Sequence, residues 1–576
     1  MKISKVIKQF FNTNKVGKPD SYDNWIQMKE PTKSIQEKMR IDIKNFRYNP
    51  IISLICPVWN PDPDFLIAML DSVEGQIYPN YELCICEAAS KNSKIKKILK
   101  KYNYKNNKIK IDWAEKNYGI SGNSNRALKL ATGEFIGLLD HDDTLAPHAL
   151  FEIASLLNQK PNLSLIYTDE DKIDPYGYRV SPFFKPEWSP DLILSCGYIN
   201  HLTVYRKCYL DEIGGFRYEC EYSQDYDLLL RFLEFIDGSE IGHVPKVLYH
   251  WRISEGSSAY DPMAKDGKII IAAKNAIQDA LNRRGIEGIV LDGLWPTSYR
   301  VKRKILGNPK ISIIIPTKDN CPLLERCIES IEGKSTYKNF EILIIDHESS
   351  SSDTIDFLKQ TKHHVLPYSG PFNFSAINNF AAQQTTGEYV LFLNNDTEII
   401  SGDWMECLLE HAQRPEVGAV GCKLLYPDRR IQHAGVILGM SPDQITGVAG
   451  HWFQGVPYEN PGYFNLINTI RNYSAVTGAC MMVSKEKFFL VGGFEPALAV
   501  CYNDIDFCLK LIKMNYWNVF TPYAELIHHE SASRGTSVSS DEAHYMLNKW
   551  GALLKQDPFY TINLSLSNYV CDFNYD

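Results

Sequence analysis

The sequence predicts an α/β protein with two tandem domains, each built on a mostly parallel central sheet of the doubly wound kind. The first reason is an internal repeat: Ile52-Ser-Leu-Ile-Cys-Pro57 recurs as Ile311-Ser-Ile-Ile-Ile-Pro316, 259 residues further on. Four more matched strings follow in the same order, at offsets between 254 and 279 residues. A period this long indicates whole domains rather than a solenoid. The second reason is that β-branched runs alternate with helical patterns, which favours parallel strands joined by helices.

The elements of the first repeat, copy 1, follow from this alternation. Short apolar runs predict buried strands, and stretches with apolar residues three and four positions apart predict the helices between them. In chain order we predict strand Ile52–Cys56, helix Phe65–Val73, strand Tyr81–Cys86, helix Ser93–Tyr102, strand Lys108–Ala114, helix Gly122–Ala131 and strand Phe135–Leu139.

The matched strings and the chain breakers between them set the predicted boundaries. Copy 1 runs over residues 51–291 and the second repeat, copy 2, over residues 311–535. A connector at residues 292–310 contains Pro and Gly breakers. A Lys-rich, helical arm precedes copy 1 at residues 1–50, and a tail follows copy 2 at residues 536–576.

The composition narrows the class of protein. The 576 residues carry 61 Lys and Arg against 69 Asp and Glu, a net charge of −8, which gives no basic footprint for nucleic acid. No apolar run reaches the roughly 18–20 residues of a membrane span. The 14 Cys show no zinc-ligand spacing and lie mostly in apolar runs, so we expect reduced thiols and a cytoplasmic protein.

Acidic residues follow the strand that comes after each Thr-Gly-Glu string. In a doubly wound sheet, ligands bind at the carboxyl ends of strands, so these residues face the expected site. Asp140 and Asp142 repel each other, and a hard divalent ion such as Mg²⁺ or Mn²⁺ would neutralise them. A helix cap is the competing interpretation of a single such motif, but the recurrence as Asn394-Asn-Asp396 favours a site.

A second constellation is duplicated later in each copy. A Gly-Gly-Phe turn, which requires positive φ, is followed by Asp225 and then His250 in copy 1. In copy 2 the same order gives Asp504 and His528. A helix cap or a packed core histidine would explain each residue alone, but packing does not explain their joint recurrence at matched spacing.

Together these motifs resemble glycosyltransferase family 2, whose catalytic domain has the Rossmann-like nucleotide-diphospho-sugar transferase fold called GT-A. Further strings support the resemblance, among them Tyr167-Thr-Asp-Glu-Asp171, Phe184-Lys-Pro-Glu-Trp-Ser-Pro190 and Gln432-His-Ala-Gly435. The resemblance covers about four fifths of the chain and is closest to enzymes that build bacterial O-antigen or capsule. It implies a bifunctional, metal-dependent, inverting glycosyltransferase that makes one linkage per copy, with Mn²⁺ or Mg²⁺ as cofactor.

The resemblance also implies a role for each candidate residue. Asp225 and Asp504 would be the catalytic bases. The metal ligands would be Asp140, Asp142 and His250 in copy 1, and Asp396 and His528 in copy 2, with His529 a rival for His528. The nucleotide-sugar donor, a UDP- or dTDP-sugar, would be bound by Pro57, Trp59, Asn60, Glu87, Arg126 and Asp140 in copy 1, and by Pro316, Thr317, Asp346, Asn378 and Asn394 in copy 2.

Two departures from the family pattern concern the metal and the nucleoside. Glu87 replaces the usual Asp and reaches one methylene further. Asn394 stands where copy 1 has Asp140, which lowers the ligand charge of copy 2, and Glu398 is a nearby replacement. An alternative prediction is therefore one active copy plus a degenerate copy that binds the acceptor. A third is an inactive carbohydrate-binding scaffold.

The N-terminal arm adds a prediction about location. Apolar residues lie on one helical face of residues 2–18, with lysines around it. A basic amphipathic helix is typical of segments that lie on an anionic membrane surface, here the inner membrane, and this suits a glycan acceptor carried on a lipid. A helix docked onto copy 1 fits the same pattern.

Overall fold

The computed structural model describes residues 21–254, 267–441, 447–529 and 540–575, so the predicted arm helix over residues 2–18 lies outside the described residues. Copy 1 contains one sheet of nine strands. The strands are β1 Ile52–Val58, β2 Tyr81–Glu87, β3 Ile109–Trp113, β4 Phe135–Leu138, β5 Thr144–Leu145, β6 Leu165–Ile173, β7 Arg179–Phe183, β8 Thr203–Arg206 and β9 Ile241–Arg252. The α-helices from the arm to the end of copy 1 are Ser21–Lys29, Lys33–Asp42, Pro63–Glu74, Ser93–Lys105, Gly119–Leu130, Ala149–Gln159, Leu192–Ser195, Lys207–Glu212, Gln224–Phe232 and Lys268–Arg283.

Copy 2 repeats this plan after a hairpin in the connector, formed by β10 Gly288–Asp292 and β11 Tyr299–Arg303. Its strands are β12 Ile311–Thr317, β13 Phe340–Asp346, β14 His364–Pro367, β15 Tyr389–Leu393, β16 Thr397–Ile399, β17 Val417–Leu425, β18 Ile431–His433, β19 Val436–Leu438, β20 Ala449–His451, β21 Arg471–Tyr473, β22 Cys480–Ser484 and β23 Trp517–His528. Its α-helices are Cys321–Lys334, Ser352–Gln360, Phe374–Gln384, Trp404–Ala412, Lys485–Leu490, Asn503–Lys513 and Ser540–Trp550.

The two large sheets have the same strand order. In copy 1 the order is β3-β2-β1-β4-β8-β6-β9-β5, and in copy 2 it is β14-β13-β12-β15-β22-β17-β23-β16. The first four strands of each order are parallel, while β8 and β22 run antiparallel to both neighbours. The predicted fold class, two tandem α/β domains with mostly parallel sheets, is confirmed.

Local sequence explains the elements that lead to the cleft. Residues Ile52–Cys56 of β1 are fully or almost fully buried, which suits an unbroken apolar run between two helical layers. The following helix begins at Pro63, with the Asp62 side chain accepting from the Asp64 N–H. These signals start the helix soon after β1 ends at Val58, so the turn at Trp59 and Asn60 lies at the carboxyl edge of the sheet.

The described parts of the arm and the tail join the two copies. Trp25, 3% exposed, packs on Phe184 of copy 1 with ring centroids 4.9 Å apart, and Phe573 of the tail lies against both rings. Between the copies, Arg414 pairs with the buried Asp191 at 2.6 Å. One continuous apolar core cluster contains residues of both copies, so the two domains share a buried interface.

A helix after β23 belongs with copy 2 by its contacts. In copy 1 the helix Lys268–Arg283 packs on Gln224–Phe232, the helix that carries Asp225. In copy 2 the helix Ser540–Trp550 contacts the corresponding helix, because Trp550 Nε1 donates to Asp506 at 2.8 Å. The packing of copy 2 thus extends past the predicted boundary at residue 535. Among the described helices, none is both long enough and apolar enough to span a membrane.

Candidate active sites

A cavity opens at the carboxyl ends of β1 and β4 in copy 1. The empty space that it encloses together with the solvent at its mouth is about 530 Å³. The predicted residues Pro57, Asp140 and Asp225 all line it, although they are distant in sequence. The other lining residues are Ile55, Ile120, Ser124, Leu138, Leu139, Asn200, His201, Thr203, Phe216 and Gln224.

Three carboxylates crowd the mouth of β4. The protein around Asp140 displaces water and raises the pKa of its carboxyl, and the charge of Asp142 adds to the rise. Asp143 has a separate, structural role: its two oxygens accept from the Arg252 N–H at 2.7 Å and the Tyr249 hydroxyl at 2.6 Å. Asp143 therefore fixes β9 beside this turn, while Asp140 stays accessible in the cleft.

Asp225 lies in the first turn of the helix Gln224–Phe232, where Ser223 is the N-cap residue, so the capping interpretation of Asp225 is not confirmed. Its Oδ1 accepts from the Tyr226 N–H and its Oδ2 from the Asn200 side chain, both at 2.9 Å. The carboxylate is thus held in one orientation at the cavity wall. Asn200 had no signal in the sequence, because it lies in a loop outside the repeated strings.

His250 does not join this cleft. Its Nδ1 is 2.6 Å from the buried Asp171, which also accepts from the Tyr22 hydroxyl of the arm and from Arg179. In the described structure, no cluster of three His, Cys, Asp or Glu side chains is placed to hold a metal ion. The predicted metal set of Asp140, Asp142 and His250 is therefore not assembled.

Strand register explains the error. Leu145 of β5 pairs with Tyr249, and Ile399, its equivalent in copy 2, pairs with Leu526. His250 is one residue after Tyr249, whereas His528 is two residues after Leu526. Because neighbouring residues of a strand point to opposite faces, the two histidines face opposite sides of their strands. Trp251, not His250, is the residue equivalent to His528. Matched spacing in sequence concealed a shift of one residue.

A different histidine, His201, faces the carboxylates of copy 1. Its ring stacks on Tyr249 and lies 5.2 Å from the ring of Trp251. Burial alone would lower the pKa of His201, but Glu170, 3.7 Å from its Nδ1, raises that pKa to about 9, with help from Asp140. The residue equivalent to His201 in copy 2 is Ala479, because Val204 and Met482 occupy equivalent register positions.

In copy 2 the predicted residues do converge. His528 Nε2 lies 3.1 Å from Asp396 Oδ1 and 3.3 Å from the Asn394 side-chain amide. The Gln432 amide lies 2.8 Å from His528 Nδ1 and fixes the ring, which assigns a role to the Gln432-His-Ala-Gly435 string. Burial alone would raise the pKa of Asp396, but His528 holds it below its ordinary value.

His529 and Glu398 lie outside this group. His529 Nε2 is 3.5 Å from Arg326 and 3.8 Å from Glu398, which also pairs with Lys334 at 3.3 Å. The structure thus favours His528 over its rival, and Glu398 does not replace the missing charge at Asn394.

Asp504 lies at the start of the helix Asn503–Lys513, equivalent to Asp225. Its oxygens accept from the Ile505 N–H at 2.9 Å and from the backbone N–H of Gly478 at 2.8 Å. Gly478 is the register equivalent of Asn200, so a backbone donor in copy 2 does what a side-chain donor does in copy 1.

The predicted nucleoside residues form the same loop in both copies. Glu87 accepts from the Ser90 N–H at 2.6 Å, and Asn60 accepts from the Lys91 N–H at 2.7 Å. In copy 2, Asp346 accepts from the Ser349 N–H at 3.0 Å. These side chains shape the loops at the ends of β1, β2 and β13, and their bonds are to backbone groups.

The remaining predicted donor residues differ in their surroundings. Arg126 makes two bonds to Asp112, at 2.5 and 3.0 Å, and Trp59 is 48% exposed at the end of β1. The buried Asn378 donates to Phe374 O, while its Oδ1 has no hydrogen-bond partner in the described protein. Thr317 follows Pro316 at the end of β12 and accepts from Asn395 at 3.0 Å, which joins that end to the Asn394–Asp396 turn.

The Gly-Gly-Phe turn is clamped identically in each copy by a residue that the sequence did not reveal. Asn125 accepts from the N–H and donates to the carbonyl of Phe216, and Asn379 does the same to Phe494, all at 2.8–2.9 Å. The paired glycines have φ between +66° and +82°, as predicted. A Cβ on the second glycine of either pair would lie 2.5 Å from the clamping Asn oxygen.

The donor chemistry of copy 2 fits a divalent ion. Asp396 Oδ1 is buried and has no aligned hydrogen bond in the described structure, although His528 Nε2 is 3.1 Å away. Two ligands at right angles on an octahedral ion, each about 2.1 Å from it, lie about 3.0 Å apart. Mg²⁺-type sites commonly use one or two protein ligands plus substrate phosphates, so a complete protein cage is not required. In copy 1 the crowded pair Asp140 and Asp142 fits a cation by charge.

Comparison with known proteins agrees with the repeat. The family model described as Glycosyl transferase family 2 matches residues 53–214 and again residues 312–488. The chain is 37% identical over 562 residues to the O-antigen biosynthesis protein RfbC of Myxococcus xanthus, covering 96% of this chain and 43% of that protein. It is 41% identical over 538 residues to the uncharacterized protein y4gI of Sinorhizobium fredii, covering 91% of this chain and 58% of that one.

A solved structure, that of residues 1–349 of S. aureus TarS, matches 40% of this chain and 65% of its own at 19% identity, with a TM-score of 0.32. The chain spans about half the length of the two full-length relatives.

Proposed function

Because the chain belongs to glycosyl transferase family 2, we propose that each copy transfers a sugar from a nucleotide-diphosphate donor to a glycan acceptor with inversion. The observation that carries the proposal for copy 1 is that Asp140 and Asp225 line one cavity at the carboxyl edge of the sheet. For copy 2 it is the approach of Asn394 and Asp396 to His528, together with Asp504 at the equivalent helix start.

The base is the first element of the mechanism. Asp225 and Asp504 are each held by two donors, so the carboxylates are oriented before an acceptor arrives. A positioned carboxylate takes the proton of an acceptor hydroxyl as that oxygen attacks the anomeric carbon. With one base on one face of the sugar and the diphosphate leaving from the other, a single displacement inverts the anomeric centre. A glycosidase would instead need two carboxylates across the bond.

The leaving group is the second element. Asp140 and Asp142 in copy 1, and Asp396 and His528 in copy 2, would hold a Mn²⁺ or Mg²⁺ ion. When bound, that ion neutralises the diphosphate and acts as a Lewis acid. The loops fixed by Asn60 and Glu87, and by Asp346, would receive the nucleoside of a UDP- or dTDP-sugar.

We propose that the pathway builds a bacterial surface polysaccharide, O-antigen or capsule. Similarity to an O-antigen biosynthesis protein over 96% of this chain supports it. A lipid-carried acceptor and peripheral contact with the cytoplasmic face of the inner membrane follow from that pathway and from the basic pattern of residues 2–18.

The test is a donor screen with the full chain and Mn²⁺, which measures release of nucleoside diphosphate and the linkages formed. Loss of a general base costs about 10²- to 10⁴-fold in rate. Asp225→Asn should therefore remove one linkage and Asp504→Asn the other. The assignment of bases is wrong if either single variant retains both.

A second candidate function is a single active copy with a partner copy that binds acceptor. The uncharged Asn394 favours it. Mn²⁺ titration of nucleotide release in the Asp225→Asn protein separates the two proposals, because a binding module would release nothing at any metal concentration. An inactive scaffold would release nothing in the wild-type protein either.

A further inference from the structure

A fully buried lysine lies behind the cleft of copy 1, and the proposed mechanism gives it no role. Lys185 is 0% exposed. Its Nζ donates to Glu170 Oε2 at 3.0 Å and to the carbonyl oxygens of Asn200 and His201, both at 2.7 Å. Glu170 also accepts from the His201 N–H at 2.8 Å. Lys185 and Glu170 together therefore fix the backbone of two consecutive cleft residues.

That loop carries a direct contact to the base. The Asn200 side chain donates to Asp225 Oδ2 at 2.9 Å, and Asn200, His201 and Asp225 all line the same cavity. A displacement of about 1 Å in a reacting group costs about 10²-fold in rate. Hydrogen bonds that fix the loop at Asn200 can therefore change the rate by changing the position of Asp225.

Copy 2 holds the segment on which Lys185 sits. The Tyr463 hydroxyl of copy 2 donates to Pro182 O and accepts from the Phe184 N–H, each at 2.8 Å. Next to it, the rings of Phe183 and Phe464 stack with centroids 4.0 Å apart. The residue before Lys185 is thus bonded to the other domain.

We propose that Lys185 is a positioning residue for copy 1, and that copy 2 completes the copy 1 active site by holding the Lys185 segment through Tyr463. This rests on the proposed function, since it concerns the orientation of Asp225. It gives copy 2 a second task, independent of any transfer that copy 2 performs.

The experiment uses the full chain in the Asp504→Asn background, with the nucleotide sugar that gives the most nucleoside diphosphate in the donor screen. Lys185→Met should lower kcat by about 10- to 100-fold with KM changed by less than about threefold, since the donor loops are untouched. Asn200→Ala should have a similar effect. The double variant should lose no more than the worse single one, because Lys185 acts through Asn200.

Tyr463→Phe tests the contribution of copy 2. It should lower the kcat of copy 1 by about fivefold, the size expected for one or two lost hydrogen bonds. Tyr458→Phe is the matched control, because its hydroxyl bonds to Glu525 within copy 2. In the Asp225→Asn background, both tyrosine variants should leave the nucleotide release of copy 2 within about twofold.

Each outcome decides a separate point. If Asp225→Asn does not reduce nucleotide release in the Asp504→Asn background, the proposed function of copy 1 fails, whatever Lys185 does. If Asp225 is needed but Lys185→Met retains wild-type kcat, the positioning role is wrong. Additive losses in the double variant would contradict action through Asn200, and equal effects of Tyr463→Phe and Tyr458→Phe would remove the contribution of copy 2. Thermal midpoints, and the copy 2 activity of each substitution placed in the Asp225→Asn background, identify any variant that fails to fold.

Discussion

Copies 1 and 2 share the scaffold around their clefts but differ in the histidine that faces the carboxylates. Strand order, an Asp in the first turn of the equivalent helix and the Asn clamp are the same in both. In copy 1 the histidine is His201, just before β8, and in copy 2 it is His528, at the end of β9's equivalent, β23. The backbone plan is therefore shared, while the histidine that faces the carboxylates comes from a different segment in each copy.

The chemistry of the two histidines differs with their neighbours. Glu170 raises the pKa of His201 to about 9 against the effect of burial, and the charge of Asp140 adds to the rise. His528 instead shares its Nε2 with Asp396 and Asn394, and Gln432 orients its other nitrogen. Copy 2 thus has a histidine oriented as metal ligands are, and copy 1 has one that pairs with Glu170 and acts on Asp140 through its charge.

Among the side chains that distinguish the two copies, we expect His528 to have the greatest influence on activity. His528→Ala should lower the nucleotide release of copy 2, measured in the Asp225→Asn background at limiting Mn²⁺, by about 100-fold, because an oriented ligand is lost. His250→Ala is the matched variant in copy 1, measured in the Asp504→Asn background. It should change nucleotide release by less than about threefold while lowering the thermal midpoint, since Asp171 loses a buried partner.

These two variants test whether His250 and His528 have different roles. Equal losses of activity would restore the predicted equivalence of His250 and His528, and would mean that strand register does not decide which histidine serves the site. If the Mn²⁺ dependence of nucleotide release were unchanged in His528→Ala, His528 would not be a metal ligand in copy 2.

The helix Ser540–Trp550 supports the loop before Asp504, the proposed base of copy 2. We expect a substitution in this helix to lower activity less than His528→Ala does. Glu542 accepts three backbone N–H groups, from Ala499, Val500 and Cys501, at 2.7–3.0 Å. This loop leads to Asp504. Glu542→Gln leaves fewer charge-assisted bonds, so the kcat of copy 2 should fall about tenfold while copy 1 is unchanged. A loss in both copies would indicate general unfolding instead.

Much of the scaffold was predictable because its signals are local. The strands predicted at Ile52–Cys56 and Tyr81–Cys86 are β1 and β2, each extended by one or two residues. The equivalence of Asp225 and Asp504 was also predictable, because two copies supply an internal comparison at matched spacing, and their role as bases stays a prediction.

The histidine of copy 1 was not predictable, for a physical reason. A strand presents alternate residues to opposite faces, so one residue of register decides whether His250 or Trp251 faces the cleft. The segment from Asp225 to Gly242 is two residues longer than the equivalent segment from Asp504 to Val519, and the nearly equal spacing of the histidines hides this difference. Glu170 and Lys185 stand in the Tyr167–Asp171 and Phe184–Pro190 strings, but no role could be assigned to them or to Asn200, because their contacts join separate segments of the chain.

The Asn clamps test the shared part of the comparison. Asn125→Ala and Asn379→Ala each remove two bonds to a Gly-Gly-Phe turn, so each should cost about 1–3 kcal/mol of local stability. Thermal denaturation should show similar falls for both. Asn339→Ala is a control, because its exposed side chain bonds only to Asn308 O among the contacts of the described residues. A large effect in one copy only would show that the clamp is not equivalent.

The smallest effect, and the most symmetric, concerns two glutamates at the opposite edge of the sheets. Burial alone would raise the pKa of Glu82 and Glu341, but each accepts from a Lys, a Ser and a Thr, which hold both pKa values at about 2. The partners are Lys110, Ser53 and Thr132 in copy 1, and Lys310, Ser312 and Thr386 in copy 2.

A carboxyl whose pKa is lower in the folded than in the unfolded state stabilises the protein above its unfolded pKa, about 4.3 for Glu. That stability is lost as pH falls from about 5 through about 2. Glu82→Gln and Glu341→Gln should each lower the thermal midpoint at pH 7 and make it depend less on pH between 5 and 2. The Ser and Thr donors match in the two copies and one Lys pairs with each Glu, so the two slopes should change similarly, although Cys84 donates to Glu82 in copy 1 only. A change in only one would locate the asymmetry of the copies in the scaffold as well as in the clefts.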